Sequence, residues 1–161
     1  GGNQMKVAIG ADPLGFELKE KVKAHLLAEG YEMLDLGTLT ADEPVKYIEV
    51  SDRVAVSVQT KESEFGIVFC GTGMGVSIVA NKHKGVYCAL VESQWAAREC
   101  RIVNNANMLA MGGRILGEDM ANDIADTFLH TKFCENSPQE RFDKLSGFLK
   151  QVYELEETQF K

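Results

Sequence analysis

Residues 65–77 have the sequence FGIVFCGTGMGVS, and the interpretation of the whole chain starts from this stretch. A short apolar run ends in Cys70, three glycines follow at alternate positions, and a helix-compatible pattern then resumes. The pattern predicts a buried strand, a turn of exposed backbone and the start of a helix. Because glycine lets the backbone approach a ligand closely and a helix N-terminus is electropositive, such a turn offers N–H groups to an anion.

Strand and helix patterns alternate five times along the chain. Strands are predicted over residues 6–10, 31–36, 66–69, 86–91 and 107–111. Helices are predicted over residues 16–29, 48–59, 76–81, 94–102, 118–130 and 138–154. This order predicts an α/β fold with a doubly wound, five-stranded parallel sheet in three layers and an extended C-terminal helix. The segment 86–91 is apolar almost throughout, which is typical of a central parallel strand.

The chain has 161 residues, which is enough for one domain with a sizeable core. We expect a single domain over residues 5–161. Met5 resembles a natural start, so we expect residues 1–4 to be a cloning remnant.

The overall charge and the cysteines restrict the partners and the compartment. The formal net charge of −7 argues against nucleic acid and anionic membranes as partners, although a local basic pocket for a phosphate stays compatible with it. The apolar stretches are well short of the roughly 18 residues that a membrane span needs. The four cysteines lack metal-ligand spacing, as do the histidines, and we expect reduced thiols in the cytoplasm.

Ligands of doubly wound sheets bind at the carboxyl ends of the strands, which directs attention to Asp12, Cys70, Glu92 and Arg114. A helix N-terminus and adjacent amides lower the pKa of a thiol, so Cys70 could be a nucleophile or a proton-abstracting base. The simpler interpretation is a small core residue. Cys88, Cys100 and Cys134 lack this setting, and we interpret them as packing residues.

Each candidate polar residue has a structural and a functional interpretation. Asp12 is either a helix cap or a partner for a sugar hydroxyl. Arg114 is either a solvated charge or a bidentate phosphate ligand. Arg141, close to Asp143 and Lys144, indicates by itself only a charged helix face.

The glycine spacing also keeps a non-enzymatic alternative open, namely a dinucleotide-binding module. The G-x-G-x-x-G fingerprint requires a third glycine at position 76, where this chain has Val76. However, Glu92 lies about 20 residues further on, where the fingerprint has its ribose-binding acid.

Several motifs, in the same order, resemble the ribose-5-phosphate isomerase B / galactose-6-phosphate isomerase (RpiB/LacAB) family. The similarity extends from Met5 to about Leu145. The motifs are MKVAIGAD at 5–12, GFELK at 15–19, DLGT at 35–38, CGTGMGVSI at 70–78, ANK at 80–82, NNAN at 104–107 and GGR at 112–114.

The resemblance implies a Rossmann-like domain and a homodimer or dimer of dimers whose active sites lie between subunits. It implies interconversion of a phosphorylated aldose and ketose without a cofactor or metal, with ribose 5-phosphate of the pentose phosphate pathway as the generic substrate. Cys70 would move the proton through a cis-enediolate. The other implied site residues are Thr72 for catalysis, Asp12, Tyr47, Gly71, Gly73, Gly75 and Asn104 for the substrate, and Arg114 and Arg141 for the phosphate.

Three departures from the family pattern bear on the substrate. Pro13 replaces a histidine, Val103 stands where the ribose-5-phosphate enzymes have a ring-opening histidine, and Ser137 replaces a phosphate-binding arginine. The proton-transfer cysteine is therefore present without the ring-opening residue. This favours an alternative substrate that is short and acyclic, such as a tetrulose 4-phosphate. A second alternative is one subunit of a two-component galactose-6-phosphate isomerase.

Overall fold

The computed structural model describes residues 5–160, so the expectation about residues 1–4 lies outside the described range. Five strands form one parallel sheet in the order β2-β1-β3-β5-β4. The strands are β1 (Lys6–Ala11), β2 (Glu32–Asp35), β3 (Phe65–Cys70), β4 (Cys88–Leu90) and β5 (Met108–Gly112). The helices are α1 (Phe16–Ala28), α2 (Tyr47–Gln59), α3 (Met74–Ala80), α4 (Gln94–Ile102), α5 (Glu118–His130) and α6 (Gln139–Gln159). Within residues 5–160, no helix combines the length and the apolar character that a membrane crossing requires.

Helices cover both faces of the sheet, which confirms the predicted three-layer α/β fold. In β3, Ile67 and Phe69 join the core cluster shared with α1, α4 and α5. The alternate residues Val68 and Cys70 join the second cluster, shared with α2 and α3. Successive strand side chains point to opposite faces, so the apolar run in β3 supplies both cores at once.

The prediction that residues 86–91 form a central strand is wrong, because β4 lies at an edge of the sheet. The strand is also shorter than predicted, from Cys88 to Leu90. Its apolar composition has another cause, since Ala89 packs on one core cluster and Cys88 and Leu90 pack on the other. Burial on two faces therefore explains the sequence without a central position.

One side of α1 also differs from the simple apolar pattern. The apolar Leu27 is 52% exposed, whereas the charged Lys19 is fully buried. Lys19 lies three residues before the buried Val22, on the same helix face. A charged residue thus occupies a core position of this helix.

The C-terminal helix α6 runs five residues beyond its predicted end at residue 154. Tertiary contacts hold its last turns against the body of the protein. Glu156 accepts hydrogen bonds from the Gly85 N–H and the Tyr87 hydroxyl, and Lys84 pairs with Glu157 at 2.9 Å.

The sheet topology determines where a ligand crevice can form. From β1 the chain first adds β2 on one side and later adds β3 on the other. Doubly wound sheets bind ligands at this switch point, beyond the carboxyl ends of the two central strands. Asp12 follows β1 and Cys70 ends β3, so two candidate residues meet at this position.

Candidate active site

Cys70 ends β3 directly before the turn that leads into α3. Its side chain is 6% exposed, and the Gly73 N–H donates a hydrogen bond to Sγ at 3.2 Å. The turn therefore places this buried sulfur against a backbone N–H at the start of α3.

The turn itself requires glycine at its centre. Gly73 has φ +78°, and a Cβ at this position would lie 2.9 Å from the carbonyl carbon of Met111. Next to it, the Thr72 side-chain oxygen accepts a hydrogen bond from the Met74 N–H at 3.2 Å. Its own hydroxyl hydrogen remains available to a ligand, since Thr72 is exposed.

Tyr47, the first residue of α2, closes one side of this turn. A Cβ on Gly75 would lie 2.8 Å from Tyr47 Cε2 and 3.2 Å from Cζ, so the ring lies directly against the Gly75 backbone. The Tyr47 side chain stays 38% exposed. The structure thus brings the predicted substrate residue Tyr47 next to the predicted glycine turn.

Asp12 and Leu14 lie on the opposite side of the turn. One carboxylate oxygen of Asp12 accepts from the Gly15 N–H at 2.9 Å and closes the turn before α1. Because Gly15 is the N-cap of that helix, the prediction of Asp12 as a helix cap is wrong. The second oxygen has no hydrogen-bond donor within residues 5–160, which leaves it free for a ligand. Leu14 contacts the turn directly, because a Cβ on Gly71 would lie 3.2 Å from Leu14 Cδ1.

Arg114 extends from the neighbouring strand end. Its backbone N–H donates to the Gly71 carbonyl at 2.9 Å. Its side chain also lies close to the turn, since a Cβ on Gly71 would be 3.6 Å from Arg114 Cδ. Because the side chain is exposed, its guanidinium is free to bind an anion beside the turn.

The structure does not bring Asn104 and Arg141 to Cys70 within one chain. Asn104 is exposed between the end of α4 and the start of β5, which is the amino end of the sheet. At about 3.3 Å per residue, the length of β3 separates the two ends of the sheet by roughly 16 Å. Arg141 is exposed in the first turn of α6, with Nη2 3.9 Å from Glu99 on α4.

Two of the positions that depart from the family pattern lie in the same region. Val103 follows α4 and is partly buried. The Ser137 hydroxyl oxygen is buried and has no hydrogen-bond partner among residues 5–160. The loop that carries Ser137 is attached to α4 because the Cys134 N–H donates to the Ile102 carbonyl at 3.1 Å. We call Val103, Asn104, Ser137 and Arg141 the amino-end surface.

The other three cysteines differ from Cys70. Burial raises the pKa of Cys88 to about 12 and that of Cys100 to about 11, and burial also raises the pKa of Cys134. These side chains stay protonated near neutral pH. Within the described part of the chain, Cys70 alone has a sulfur that accepts a backbone N–H.

The position of Glu92 disfavours the dinucleotide-binding alternative. Glu92 follows β4, and β5 lies between β4 and the glycine-bearing end of β3. Strands β4 and β3 are therefore not neighbours but two strand spacings, roughly 10 Å, apart. In the dinucleotide fold the acid and the glycines serve adjacent parts of one ligand.

Elsewhere among the described residues, one cluster contains side chains of the types that bind metal ions. The ligand atoms of His25, Glu29 and Asp126 lie within 4.8 Å of one another, on the outer side of α1 and α5. His25 Nε2 donates to Asp126 Oδ2 at 2.8 Å, and this hydrogen bond raises the pKa of His25. The i,i+4 spacing of His25 and Glu29 is the sequence signal for this cluster. His25 forms ion pairs with both carboxylates, which accounts for the cluster without a metal ion, and none of the three residues contacts Cys70.

Comparisons with known proteins agree with this geometry. The family model described as Ribose/Galactose Isomerase matches residues 7–145. A relative from Clostridium sp. (strain MSTE9), named 4-deoxy-4-sulfo-D-erythrose isomerase, is 47% identical over 96% of this chain and 97% of its own. Ribose-5-phosphate isomerase B of Escherichia coli (strain K12) is 36% identical over 88% of this chain and 95% of its own.

The fold is also shared with a solved structure. Ribose-5-phosphate isomerase B of Clostridium thermocellum matches with a TM-score of 0.86 and 38% identity, covering 96% of this chain and 99% of that one. On these matches, the chain belongs to the RpiB/LacAB family of sugar-phosphate isomerases and is an aldose–ketose isomerase.

Proposed function

We propose that this enzyme interconverts a four-carbon aldose and ketose that carry an anionic group on C4, with a sulfonate preferred to a phosphate. The main observation in support is that the chain keeps the Cys70 turn but has Val103 where the ribose-5-phosphate enzymes have the ring-opening histidine. The residue for proton transfer, Cys70, is therefore present, whereas Val103 cannot supply the acid–base assistance that ring opening needs.

A four-carbon substrate removes the need for ring opening. A furanose ring closes through a free hydroxyl on C4 of an aldose. That hydroxyl is absent when C4 carries a sulfonate, and it is esterified when C4 carries a phosphate. The substrate is therefore acyclic, and its carbonyl is directly available to the enzyme. The 47% identity with a protein named 4-deoxy-4-sulfo-D-erythrose isomerase supports this substrate class.

The charge of the anion site supports the preference for a sulfonate. A phosphate monoester carries about −1.5 to −2 charges at neutral pH, whereas a sulfonate carries a single charge. Ser137 stands where the ribose-5-phosphate enzymes have an arginine, so this chain supplies one cation fewer. Arg114 and Arg141 would then bind a less highly charged group.

The reaction proceeds as a proton transfer between adjacent carbons. The Cys70 thiolate takes the C2 proton of the aldose, the C–H electron pair forms the C1–C2 double bond, and the carbonyl pair moves to O1. Backbone N–H groups of the turn stabilise the resulting enediolate, each by a few kcal/mol. The Cys70 thiol then returns the proton to C1, while a proton moves from O2 to O1 and C2 becomes the carbonyl. The Thr72 hydroxyl is placed to donate to an enediolate oxygen.

The separation of the candidate residues supports a shared site. Since Asn104 and Arg141 lie on the amino-end surface, they would serve the Cys70 turn of a second copy in a homodimer. Asp12, Tyr47 and Asn104 would hold substrate hydroxyls, and Arg114 and Arg141 would bind the anion. A mechanism that needs a reduced Cys70 suits the cytoplasm.

The test is a comparison of kcat/KM for 4-deoxy-4-sulfoerythrose, erythrose 4-phosphate, ribose 5-phosphate and galactose 6-phosphate. We expect the order sulfonate, then C4 phosphate, then pentose, with the hexose weakest. A clear preference for ribose 5-phosphate contradicts the proposal and restores the generic family activity. If the purified protein turns over none of the four, a second, different subunit is required, as in two-component galactose-6-phosphate isomerases. Cys70→Ala serves as the background control for every substrate.

A further inference from the structure

We propose that the buried Lys19 is a positioning residue that holds the loop of residues 37–46 and, through it, fixes the Tyr47 ring against the Cys70 turn. This inference rests on the proposed function, because it assigns Tyr47 a place in the substrate site. Lys19 lies on α1, outside the Cys70 turn, and none of the mechanistic steps above uses it.

The environment of Lys19 is unusual for a lysine. The side chain is fully buried, and Nζ donates to Glu20 Oε1 at 2.6 Å, Asp35 Oδ2 at 2.7 Å and the Thr38 carbonyl at 2.7 Å. It also lies 4.8 Å from the centre of the Phe16 ring. Burying an ammonium group is costly, so it persists where every proton has an acceptor. Each of the three ammonium protons of Lys19 has an acceptor, and one of these acceptors is a backbone carbonyl of the loop.

Thr38 transmits this anchor to both ends of the loop. Its N–H donates to the Ala11 carbonyl at 2.9 Å, which joins the loop to the end of β1. Its side-chain oxygen accepts from the Val45 N–H at 3.1 Å, which joins the two ends of the loop. The side chain of Thr38 is almost fully buried, so the clasp lies inside the protein.

The loop leads directly to the active site. Lys46 is the N-cap of α2, and Tyr47 is the first helical residue. Only Lys46 lies between Val45, which Thr38 binds, and Tyr47, whose ring lies against Gly75 in the Cys70 turn. A continuous series of contacts therefore links Lys19 to the Cys70 turn. The Lys19 ammonium binds the Thr38 carbonyl, the Thr38 hydroxyl binds the loop end that precedes α2, and α2 begins with Tyr47.

Lys23 provides a matched control within the same cluster. Its Nζ binds Asp35 Oδ2 at 2.9 Å and Glu20 Oε1 at 3.3 Å, so it shares both carboxylates with Lys19. It does not contact the Thr38 carbonyl. Lys23→Met therefore disturbs the same ion pairs and leaves the loop anchor in place. Because Lys23 also binds Asp35, the Lys19→Met variant still has a cation beside that carboxylate.

The experiment measures KM and kcat for Lys19→Met and Lys23→Met on the substrate that the wild-type enzyme turns over best. Far-UV circular dichroism first establishes that each variant is folded at the assay temperature. We expect Lys19→Met to raise KM roughly tenfold, the effect of losing one hydrogen bond to a charged group, with kcat within about threefold. Lys23→Met is expected to leave both constants within about twofold. Equal effects of the two variants, or a wild-type KM in Lys19→Met, would overturn the inference.

A second pair of variants decides the case if Lys19→Met does not fold. Thr38→Val removes the hydroxyl clasp to Val45 at nearly constant volume, whereas Thr38→Ser keeps it. We expect KM to rise for the valine variant and to recover in the serine variant. In a Tyr47→Ala background, Thr38→Val should have no further effect on KM, because the two changes act through the same contact. Additive effects in this double variant contradict the positioning role. An inactive wild-type enzyme would instead refute the proposed function.

Discussion

The candidate site residues fall into two regions, the carboxyl edge of the sheet and the amino-end surface, and the structure keeps these regions apart within one chain. At the carboxyl edge, Cys70 is 6% exposed and receives the Gly73 N–H, with Tyr47 packed on the same turn. At the amino-end surface, Asn104 and Arg141 are exposed, and Arg141 Nη2 lies 3.9 Å from Glu99. In the proposed function, proton transfer uses residues of one chain, whereas the second anion-binding arginine would come from a second copy.

Cys70→Ala tests the first half and should have the largest effect. Loss of the base is expected to lower kcat by about 10²- to 10⁴-fold, the usual contribution of a general base. Steady-state kinetics with the preferred substrate measure it. Cys88→Ala is the matched control, because burial keeps that thiol protonated, and it should retain kcat. Substantial activity in Cys70→Ala would remove the basis of the comparison.

Arg141→Ala tests the second half and should lower kcat/KM by about 10- to 100-fold, as expected for a lost hydrogen bond to a charged group. The decisive measurement is mixing. If sites are shared, co-refolding inactive Cys70→Ala with Arg141→Ala gives mixed dimers in which one site has both wild-type residues. Random pairing in an isologous dimer then restores about a quarter of wild-type activity. If mixing restores nothing, the two regions do not serve one site across a dimer.

Val103→His asks whether the amino-end surface also limits the substrate. A histidine at this position supplies an acid–base group for ring opening, so kcat/KM for ribose 5-phosphate should rise by roughly tenfold or more. The four-carbon substrate, which is acyclic, should show no gain. Val103→Gln, which is polar but does not titrate, is the control. A parallel rise for both substrates would indicate better packing in place of ring opening.

His25→Gln changes a residue that belongs to neither region and should change stability alone. The hydrogen bond to Asp126 raises the pKa of His25 in the folded state. The stabilisation is therefore complete below the unfolded value of about 6.5 and is lost as pH rises through the folded pKa. The exposed setting limits the difference in unfolding free energy to at most about 1 kcal/mol. Melting temperatures at pH 5.5 and 9 measure it, and kcat/KM should equal that of the wild type. A larger stability gap at pH 9 contradicts this assignment.

Local pattern was sufficient to predict most of the fold. The helices α4 and α5 begin and end at the predicted residues, since their periodicity is a local signal. The edge position of β4 was not predictable, because a strand covered on both faces has the same apolar sequence at an edge as in the centre. Lys19 was missed for a related reason. Its burial depends on Asp35 and Thr38, which are distant in sequence.

The α/β alternation, the Cys70–glycine turn and the family could be predicted from the residues alone, because each depends on spacing along a continuous segment. Which candidates come together depends on the arrangement of the strands in the sheet. It brought Tyr47 and Arg114 to the Cys70 turn and placed Asn104 and Arg141 at the opposite end of the sheet. The physical reason is that parallel strands connected by helices bring all their carboxyl ends to one edge. Residues that precede a strand, such as Asn104, therefore lie at the other edge, however close in sequence they are to the site.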